Sequence, residues 1–219
     1  MNKYKLLIGG EWVEPASGEW FETVTPYTAS AWALVPKCGA ADVDRAVAAA
    51  KAAFDPSSPW RKMTASARGL IIRRLADLIA EDASRLAEIE STDNGKLIAE
   101  MRGQLNYVPQ WYHYFGGLAD KIEGSVIPID KPGVFNFTRR EPLGVIAAIV
   151  AWNSPLLLAT WKLAPALAAG NTVVIKPAED TPLSAIYLAR LAREVGIPDG
   201  VINVIPGTGA VAGAALSAH

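Results

Sequence analysis

The sequence is poor in the residues that build disulfides and metal sites. Among its 219 residues there are one cysteine, Cys38, and two histidines, His113 and His219. A single thiol cannot form an internal disulfide, which is typical of proteins kept in a reducing cytoplasm. Without a cluster of cysteine and histidine, no metal site of the zinc type is expected. The sequence therefore predicts a cytoplasmic protein without a bound metal.

Cys38 is also a candidate nucleophile, since Lys37 precedes it and could lower the pKa of the thiol slightly. However, neither histidine has a neighbouring acid or a recognisable catalytic partner in the sequence. The cysteine also lies between an extended segment and a helix, where packing is the simpler explanation. We therefore favour a structural role for Cys38.

The chain also lacks an excess of charge and a long apolar run. Its 21 Lys and Arg residues offset 22 Asp and Glu residues, so a net charge of -1 gives no field that would gather nucleic acid or an acidic membrane. Lys162 and Pro165 interrupt the most apolar stretch below the ~18 residues that a membrane span needs. The apolar core of the first residues is too short for a signal peptide. We expect neither nucleic acid nor a membrane as a partner.

What the chain does have is a hydrophobic period that changes along its length. Residues 1–36 have the β-branched and aromatic composition of short strands separated by turns. From Ala40 onwards the apolar spacing is helical, with a break near 82–84 and a stop at Asn94-Gly95. The helical segment ends in an aromatic cluster that we expect to form part of the helix-packing core: Tyr107, Trp111, Tyr112, Tyr114 and Phe115.

Two further changes of pattern follow this helical segment. Residues 124–143 alternate with period two, which predicts a pair of strands around a turn at Pro132-Gly133. Three short apolar runs then alternate with helical segments: 145–151, 172–176 and 201–205. Such runs are typical of parallel strands buried on both faces. The fold class is therefore α/β, a Rossmann-like βαβαβα unit preceded by a helical segment and short strands, with ligands expected at the carboxyl ends of the strands.

Two groups of residues at these strand ends are candidates for binding a nucleotide. Lys176 ends the second strand, and it either extends to solvent or grips ribose hydroxyls together with Glu179. Gly207, Gly209 and Gly213 follow the third strand, with a spacing one residue longer than the dinucleotide fingerprint. They form either a tight turn or a close approach of backbone to a pyrophosphate. The residues alone leave both alternatives open.

Asn153 lies at the end of the first strand and also has two interpretations. Ser154 and Pro155 are a standard helix opening, an N-cap followed by proline at the first helical position, and Asn153 is then only a turn residue. Alternatively, its side-chain amide donates a hydrogen bond to an oxyanion. Physical chemistry alone does not separate these interpretations.

The run WNSPLLLATWKLAPALAAGNTVVIKPAEDTPLSA, residues 152–185, resembles the NAD(P)-dependent aldehyde dehydrogenase superfamily. The similarity also includes NGK at 94–96, REPLGVIAAI at 140–149 and GIPDGVINVIPGTG at 196–209. The resemblance implies that residues 1–123 pack on a cofactor domain and that residues 124–143 are oligomerisation strands. Residues 144–219 would form the βαβαβα part of the NAD-binding domain, and the catalytic domain would lie beyond this chain.

The resemblance also implies roles for individual residues. Asn153 would belong to the oxyanion hole, and Lys162 matches a lysine assigned to a charge or proton relay, although a buried helix lysine is an equal alternative. Glu179 would favour NAD over NADP, because a carboxylate repels a 2′-phosphate. The implied cofactor-binding set is Val150, Ala151, Trp152, Lys176, Pro177, Ala178, Glu179, Gly209 and Gly213.

Two positions depart from the family pattern. The family commonly has proline where this chain has Ala151, and often an aromatic residue or leucine where it has Ser154. Ser154 would lie near the substrate entrance, which suggests a wider or more polar mouth. The hypothesis is that the substrate aldehyde carries polar groups.

The chain also ends before the family's general-base glutamate and catalytic cysteine. We therefore expect the N-terminal part of an enzyme that oxidises an aldehyde to a carboxylic acid with NAD, through a cysteine thiohemiacetal, and that is inactive as this chain alone. A homo-oligomer, either dimer or tetramer, is the expected assembly. The alternative is a truncated, non-catalytic protein that binds nucleotide or serves as an assembly partner.

Overall fold

A computed structural model describes all 219 residues, and its N-terminal part consists of five short strands. These are β1 (Asn2–Lys3), β2 (Leu6–Ile8), β3 (Glu11–Val13), β4 (Trp20–Thr25) and β5 (Ser30–Pro36). Strands β1, β5 and β4 form a small sheet in that order. Strands β2 and β3 form a hairpin whose turn residues, Gly9 and Gly10, both have positive φ, the backbone conformation that tight hairpin turns require. The predicted strands and turns of residues 1–36 are thus present.

Five helices follow these strands, with the break near 82–84 in the predicted place. They are α1 (Ala40–Phe54), α2 (Pro59–Lys62), α3 (Ala65–Glu81), α4 (Ala83–Asn94) and α5 (Ile98–Leu118). The Thr64 hydroxyl caps α3 by accepting the Ala67 N–H at 3.2 Å, and Gly95, in the left-handed conformation, ends α4. No helix of the chain has both the length and the hydropathy needed to cross a bilayer.

The C-terminal part builds a five-stranded sheet flanked by helices. Its elements are β6 (Val145–Ile149), α6 (Pro155–Ala168), β7 (Thr172–Lys176), α7 (Leu183–Glu194), β8 (Ile202–Val204), a π-helical turn (Gly209–Gly213) and α8 (Ala214–Ala218). The strand order is β3-β2-β8-β7-β6, and β6, β7 and β8 are parallel. The predicted Rossmann-like α/β unit is confirmed. The sequence did not predict that the β2–β3 hairpin joins this sheet, where Leu7 pairs with Val204 in antiparallel orientation.

The core lies between this sheet and the helices on its faces. All five residues of β7 are buried, as expected for a parallel strand covered on both sides. Cys38 belongs to a second, smaller apolar cluster on the α1 side and is 1% exposed. Burial, with a smaller contribution from the charge of Asp42, raises the pKa of its thiol well above the usual value. The thiol is therefore protonated at neutral pH, as a structural role requires.

The segment 124–143 differs from the predicted pair of strands. Its turn is present, with Gly133 at φ +76°. Only one isolated bridge, between Val126 and Phe137, joins its two arms, and the regular strands are not formed. Nearly every residue of the segment is exposed. Because neither face packs on a core, nothing in the chain fixes the register that alternation alone predicts.

The aromatic cluster of α5 also differs from expectation. Tyr112 is fully buried and belongs to the main core, but Tyr107 is 50% exposed and Tyr114 is 60% exposed. The four remaining rings contact one another along α5, where Trp111 lies 6.0 Å from Tyr107 and 6.4 Å from Phe115, and Phe115 is partly buried against the main core. Successive helical positions point in different directions, so a run of aromatic residues cannot all face one core.

Candidate functional site

The carboxyl ends of β6, β7 and β8 meet at one edge of the sheet. The Val150 N–H donates to Lys176 O at 3.0 Å, and the Ile205 N–H donates to Ile175 O at 2.9 Å. A cleft of about 680 Å³ opens at this edge, between the parallel strands and the small N-terminal sheet. Its lining includes residues from both sides: Phe21, Thr23, Lys37, Asp93, Asn94, Trp152, Glu179 and Thr208. The position is the one at which α/β sheets of this kind bind ligands.

Lys176 and Glu179, the two candidates for holding a ribose, form an ion pair at the end of β7. The Lys176 ammonium is buried and donates to Pro177 O at 2.6 Å and to Gly207 O at 2.7 Å. Its third neighbour is Glu179 Oε2, at 3.5 Å. Burial lowers the pKa of Lys176, while the nearby Glu179 carboxylate acts in the opposite direction. The simple alternative, a lysine that extends to solvent, does not match this buried position.

The Glu179 carboxylate lies at the boundary between the protein and the cleft, with its side chain 43% exposed. Partial burial acts to raise its pKa, but backbone hydrogen bonds and the charge of Lys176 outweigh this and lower the pKa. One of these bonds comes from the Gly209 N–H, 3.3 Å from Oε1. The ends of β7 and β8 are therefore joined through a carboxylate that still has free lone pairs.

The three glycines after β8 differ in how much room their surroundings leave for a side chain. A Cβ atom at Gly207 would lie 2.8 Å from the Ala212 Cβ and 3.0 Å from the Cys38 carbonyl oxygen, so packing requires this glycine. A Cβ at Gly213 would lie 3.5 Å from the Lys176 side chain, in ordinary contact, and one at Gly209 would meet only Glu179 Oε1, at 3.9 Å. Gly207 thus forms the tight turn, and Gly209 lies on the open side of the cleft.

Asn153 lies in the exposed connection between β6 and α6, next to Ala151 and Trp152, which are also exposed. Pro155 takes the first position of α6, as predicted. Ser154 takes the N-cap position, but its side chain makes no capping hydrogen bond. The helix-opening interpretation of Ser154 is therefore only half right, and another group must satisfy the first N–H groups of α6.

That group is Glu90 of α4, which sequence reasoning missed. The Glu90 carboxylate is fully buried, and its Oε1 accepts the Leu156 N–H at 2.6 Å. Burial raises the pKa of Glu90 to about 7, against the opposing effect of the Leu156 hydrogen bond. Because the contact spans 66 residues, no local pattern in the sequence signals it.

Asp93, one turn further along α4, caps the start of α7 in the same way. Its Oδ2 accepts the Leu183 N–H at 3.0 Å, and its Oδ1 accepts from Thr23 Oγ1 and Trp32 Nε1, each at 3.1 Å. Burial raises the pKa of Asp93 to about 7, and these hydrogen bonds lower it in part. A single helix therefore caps both helices that follow the β6 and β7 strand ends, which fixes the two loops that carry Asn153 and the Lys176–Glu179 pair.

Lys162 lies apart from the strand-end residues. It is on the exposed face of α6, and its ammonium is 3.5 Å from Leu158 O, one turn earlier. The alternative of a buried helix lysine is therefore wrong. No cluster of three or more His, Cys, Asp or Glu residues that could hold a metal ion is present.

Comparisons of this chain with known proteins all lead to one family. The model of the aldehyde dehydrogenase family matches residues 12–219. Retinaldehyde dehydrogenase 3 of Rattus norvegicus is 49% identical over 98% of this chain and 42% of its own length. In Acinetobacter baylyi, (Z)-2-((N-methylformamido)methylene)-5-hydroxybutyrolactone dehydrogenase is 48% identical over all of this chain and 44% of its own length.

A solved structure of an aldehyde dehydrogenase is also similar to this chain over the whole length of the chain. The NAD⁺ complex of aldehyde dehydrogenase from Bacillus cereus superposes with a TM-score of 0.96 at 43% identity, over 100% of this chain and 44% of that chain. The chain thus spans less than half the length of the relatives that it matches. The similarity covers the strand ends, the α4 acids and the 124–143 segment together.

Proposed function

This chain belongs to the aldehyde dehydrogenase family, and on that premise we propose that it is the N-terminal, cofactor-binding part of an enzyme that oxidises an aldehyde to a carboxylic acid with NAD. The observation that carries the proposal is the Lys176–Glu179 pair at the end of β7, in which the buried Lys176 supports a Glu179 carboxylate that lines the cleft. The nucleophilic cysteine and the general-base glutamate would lie in residues beyond this chain.

The residues at the strand ends fit an adenosine ribose. The Glu179 carboxylate is partly exposed and has free lone pairs that can accept the ribose hydroxyls. The Lys176 ammonium is fixed by two carbonyl groups, so only its contact with Glu179 would be exchanged for a contact with a hydroxyl oxygen. Gly209, without a side chain, leaves the neighbouring backbone accessible. Trp152, 55% exposed, and the backbone of Val150, Ala151, Pro177 and Ala178 would complete the cofactor surface.

Bound NAD supplies the hydride acceptor, and Asn153 acts on the substrate oxygen. When a thiolate adds to the aldehyde, the oxygen becomes negative, and the Asn153 amide can donate a hydrogen bond to it in the resulting thiohemiacetal. Loss of one such donor typically raises the barrier by about 2.7–4 kcal/mol. Asn153 lies in a loop held by the Glu90 cap of α6, which favours a fixed orientation. The charge or proton relay that the resemblance implies for Lys162 would act from the exposed face of α6, apart from the strand-end residues.

We further propose that residues 124–143 form the oligomerisation region and that the working protein is a homo-oligomer in the cytoplasm. The segment extends its apolar side chains into solvent, which favours burial against another copy. In the alternative, in which the chain serves only as an assembly partner, this surface would be its sole function.

The cofactor assignment predicts a preference that binding measurements on the 219-residue chain can test. We expect NAD to bind more tightly than NADP by about tenfold or more, because the Glu179 carboxylate repels a 2′-phosphate. Glu179→Gln should reduce that preference, mainly by improving NADP binding. Isothermal titration calorimetry of both nucleotides measures the ratio, with Glu81→Gln, an exposed acid on α3, as the matched control.

Three results separate the candidate functions. An unchanged NAD-to-NADP ratio in Glu179→Gln contradicts the role of this carboxylate. If neither nucleotide binds, only the assembly role remains. In the longer protein that contains this chain, a single-turnover burst of NADH upon addition of aldehyde is expected, and Asn153→Ala should slow it by about 100-fold or more.

A further inference from the structure

A polar cluster lies where α4, α5 and α6 approach one another, and it consists of Lys96, Gln104 and Ser154. The Lys96 ammonium donates to Ser154 Oγ at 3.3 Å, and the Ser154 hydroxyl contacts Gln104 Oε1 at 3.4 Å. Lys96 follows the end of α4, Gln104 lies on α5, and Ser154 opens α6. The fold thus brings Ser154 to two groups that lie 58 and 50 residues earlier in the sequence.

The backbone of Lys96 is held on both sides. Its N–H donates to Asn94 Oδ1 at 2.9 Å, and its carbonyl oxygen accepts from Ser91 Oγ at 2.7 Å. Gly95 reverses the chain between them with φ +74°. The Lys96 side chain is 27% exposed, so its stem is mostly packed. Unlike a free surface lysine, it loses little conformational entropy on binding a ligand.

The polar cluster has more hydrogen-bond donors than acceptors. An ammonium group has three donors, and Lys96 uses one for Ser154 and a second for Glu100 Oε1, at 3.3 Å. The Glu100 side chain is 56% exposed, so this ion pair is weak and a ligand can displace it. Gln104 Nε2 is buried and has no hydrogen-bond partner. The polar cluster is therefore suited to an additional negatively charged oxygen.

We propose that the polar cluster selects aldehydes that carry a carboxylate group, which Lys96 and Gln104 bind while Asn153 meets the aldehyde oxygen. The inference rests on the proposed function, in which Asn153 meets the aldehyde oxygen, and Ser154 of the cluster directly follows Asn153 in the chain. A short substrate with an aldehyde at one end and a carboxylate at the other satisfies both groups. A plain alkyl aldehyde of the same length leaves the donors of the cluster without an acceptor, which is the situation in which polar sites discriminate strongly.

The test compares succinic semialdehyde with butanal, two aldehydes with equal carbon number, in the longer protein that contains this chain. We expect kcat/KM to be higher for succinic semialdehyde by about tenfold or more. Lys96→Met should lower kcat/KM for succinic semialdehyde by about 10- to 100-fold, through KM, and change that for butanal by less than about threefold. Lys96→Arg should retain part of the preference. Lys121→Met, an exposed lysine at the end of α5 paired with Asp120, is the matched control and should change neither value.

Two outcomes overturn the proposal while leaving the proposed function intact. One is NADH formation from both aldehydes with no preference for succinic semialdehyde. The other is an equal fall for both aldehydes in Lys96→Met, which would show a structural role for the lysine. If no aldehyde yields NADH, the proposed function itself is wrong, and this inference is wrong with it.

Discussion

Glu90 is a fully buried carboxyl group that caps a helix from another element. Its pKa in the folded protein is raised to about 7 by burial, from 4.5. A raised pKa means that the folded state binds the proton more tightly than the unfolded state does. The stability that this group contributes is therefore complete below about pH 4.5 and is lost as the pH rises through about 7.

Glu90→Gln is expected to remove this pH dependence. Glutamine keeps an oxygen that accepts the Leu156 N–H but cannot ionise. Relative to the wild type, the variant should gain on the order of 2–3 kcal/mol in free energy of unfolding between pH 5 and pH 8. Urea denaturation at a series of pH values measures this difference. Glu88→Gln, an exposed acid on the same helix, is the control, and a parallel pH profile for both variants would contradict the assignment.

How well the candidate site could be predicted depended on the sequence distance between its residues. Lys176 and Glu179 are three residues apart at the end of an apolar run, so the sequence could name them together as candidates for one site. The roles of the two α4 acids, Glu90 and Asp93, were not predictable, because hydrophobic spacing identifies the buried face of a helix only by its apolar residues. Glu90 and Asp93 lie on that face and cap helices 66 and 90 residues away. Contacts of this range depend on the tertiary arrangement, which periodicity does not encode.

Among the elements, the parallel strands were predicted best. The centre of strand β7, residues 173–175, is wholly apolar because helices cover both faces of the strand, and the predicted bounds of β7 agree with the structure. The β2–β3 hairpin was predicted as strands but not placed, since its pairing with β8 joins Leu7 to a residue near the other end of the chain. The arms of 124–143 alternate correctly, yet without a core face the alternation does not fix a ladder.

The turn that leads into β8 depends on Gly200, which has φ +78° and lies against α1. A Cβ atom there would lie 2.7 Å from the Ala49 carbonyl oxygen and 3.1 Å from the Ala53 Cβ. Gly200→Ala should therefore destabilise the protein by about 2 kcal/mol or more, from backbone strain and the clash together.

Gly103→Ala is the matched control for this turn. Gly103 lies inside α5, and a Cβ there meets nothing within 4 Å. Alanine has the higher helix propensity, so this substitution should stabilise the protein by about 1 kcal/mol. Urea denaturation compares the two variants, and equal effects on the midpoint would contradict both explanations.

For the whole molecule, the segment 124–143 is the main apolar surface without a partner in the chain. Phe135 is 71% exposed and Phe137 57% exposed, and their rings lie 5.5 Å apart. Exposed apolar patches of this kind mark interaction surfaces, because burying them against another protein removes them from water. A second copy of the chain can offer the same arms as a partner for the unpaired backbone groups.

The double substitution Phe135→Ser with Phe137→Ser should therefore shift the protein to a smaller assembly. Removing two phenyl groups from an interface costs about 1.5–3 kcal/mol for each side chain that was fully buried there, enough to dissociate a moderately stable dimer at micromolar concentration. Size-exclusion chromatography with light scattering measures the mass of both proteins over a range of concentrations. Tyr27→Ser, at an exposed turn far from the segment in sequence, is the control and should leave the mass unchanged. If the double variant keeps the wild-type mass, another surface holds the assembly, and the oligomerisation role of 124–143 is wrong.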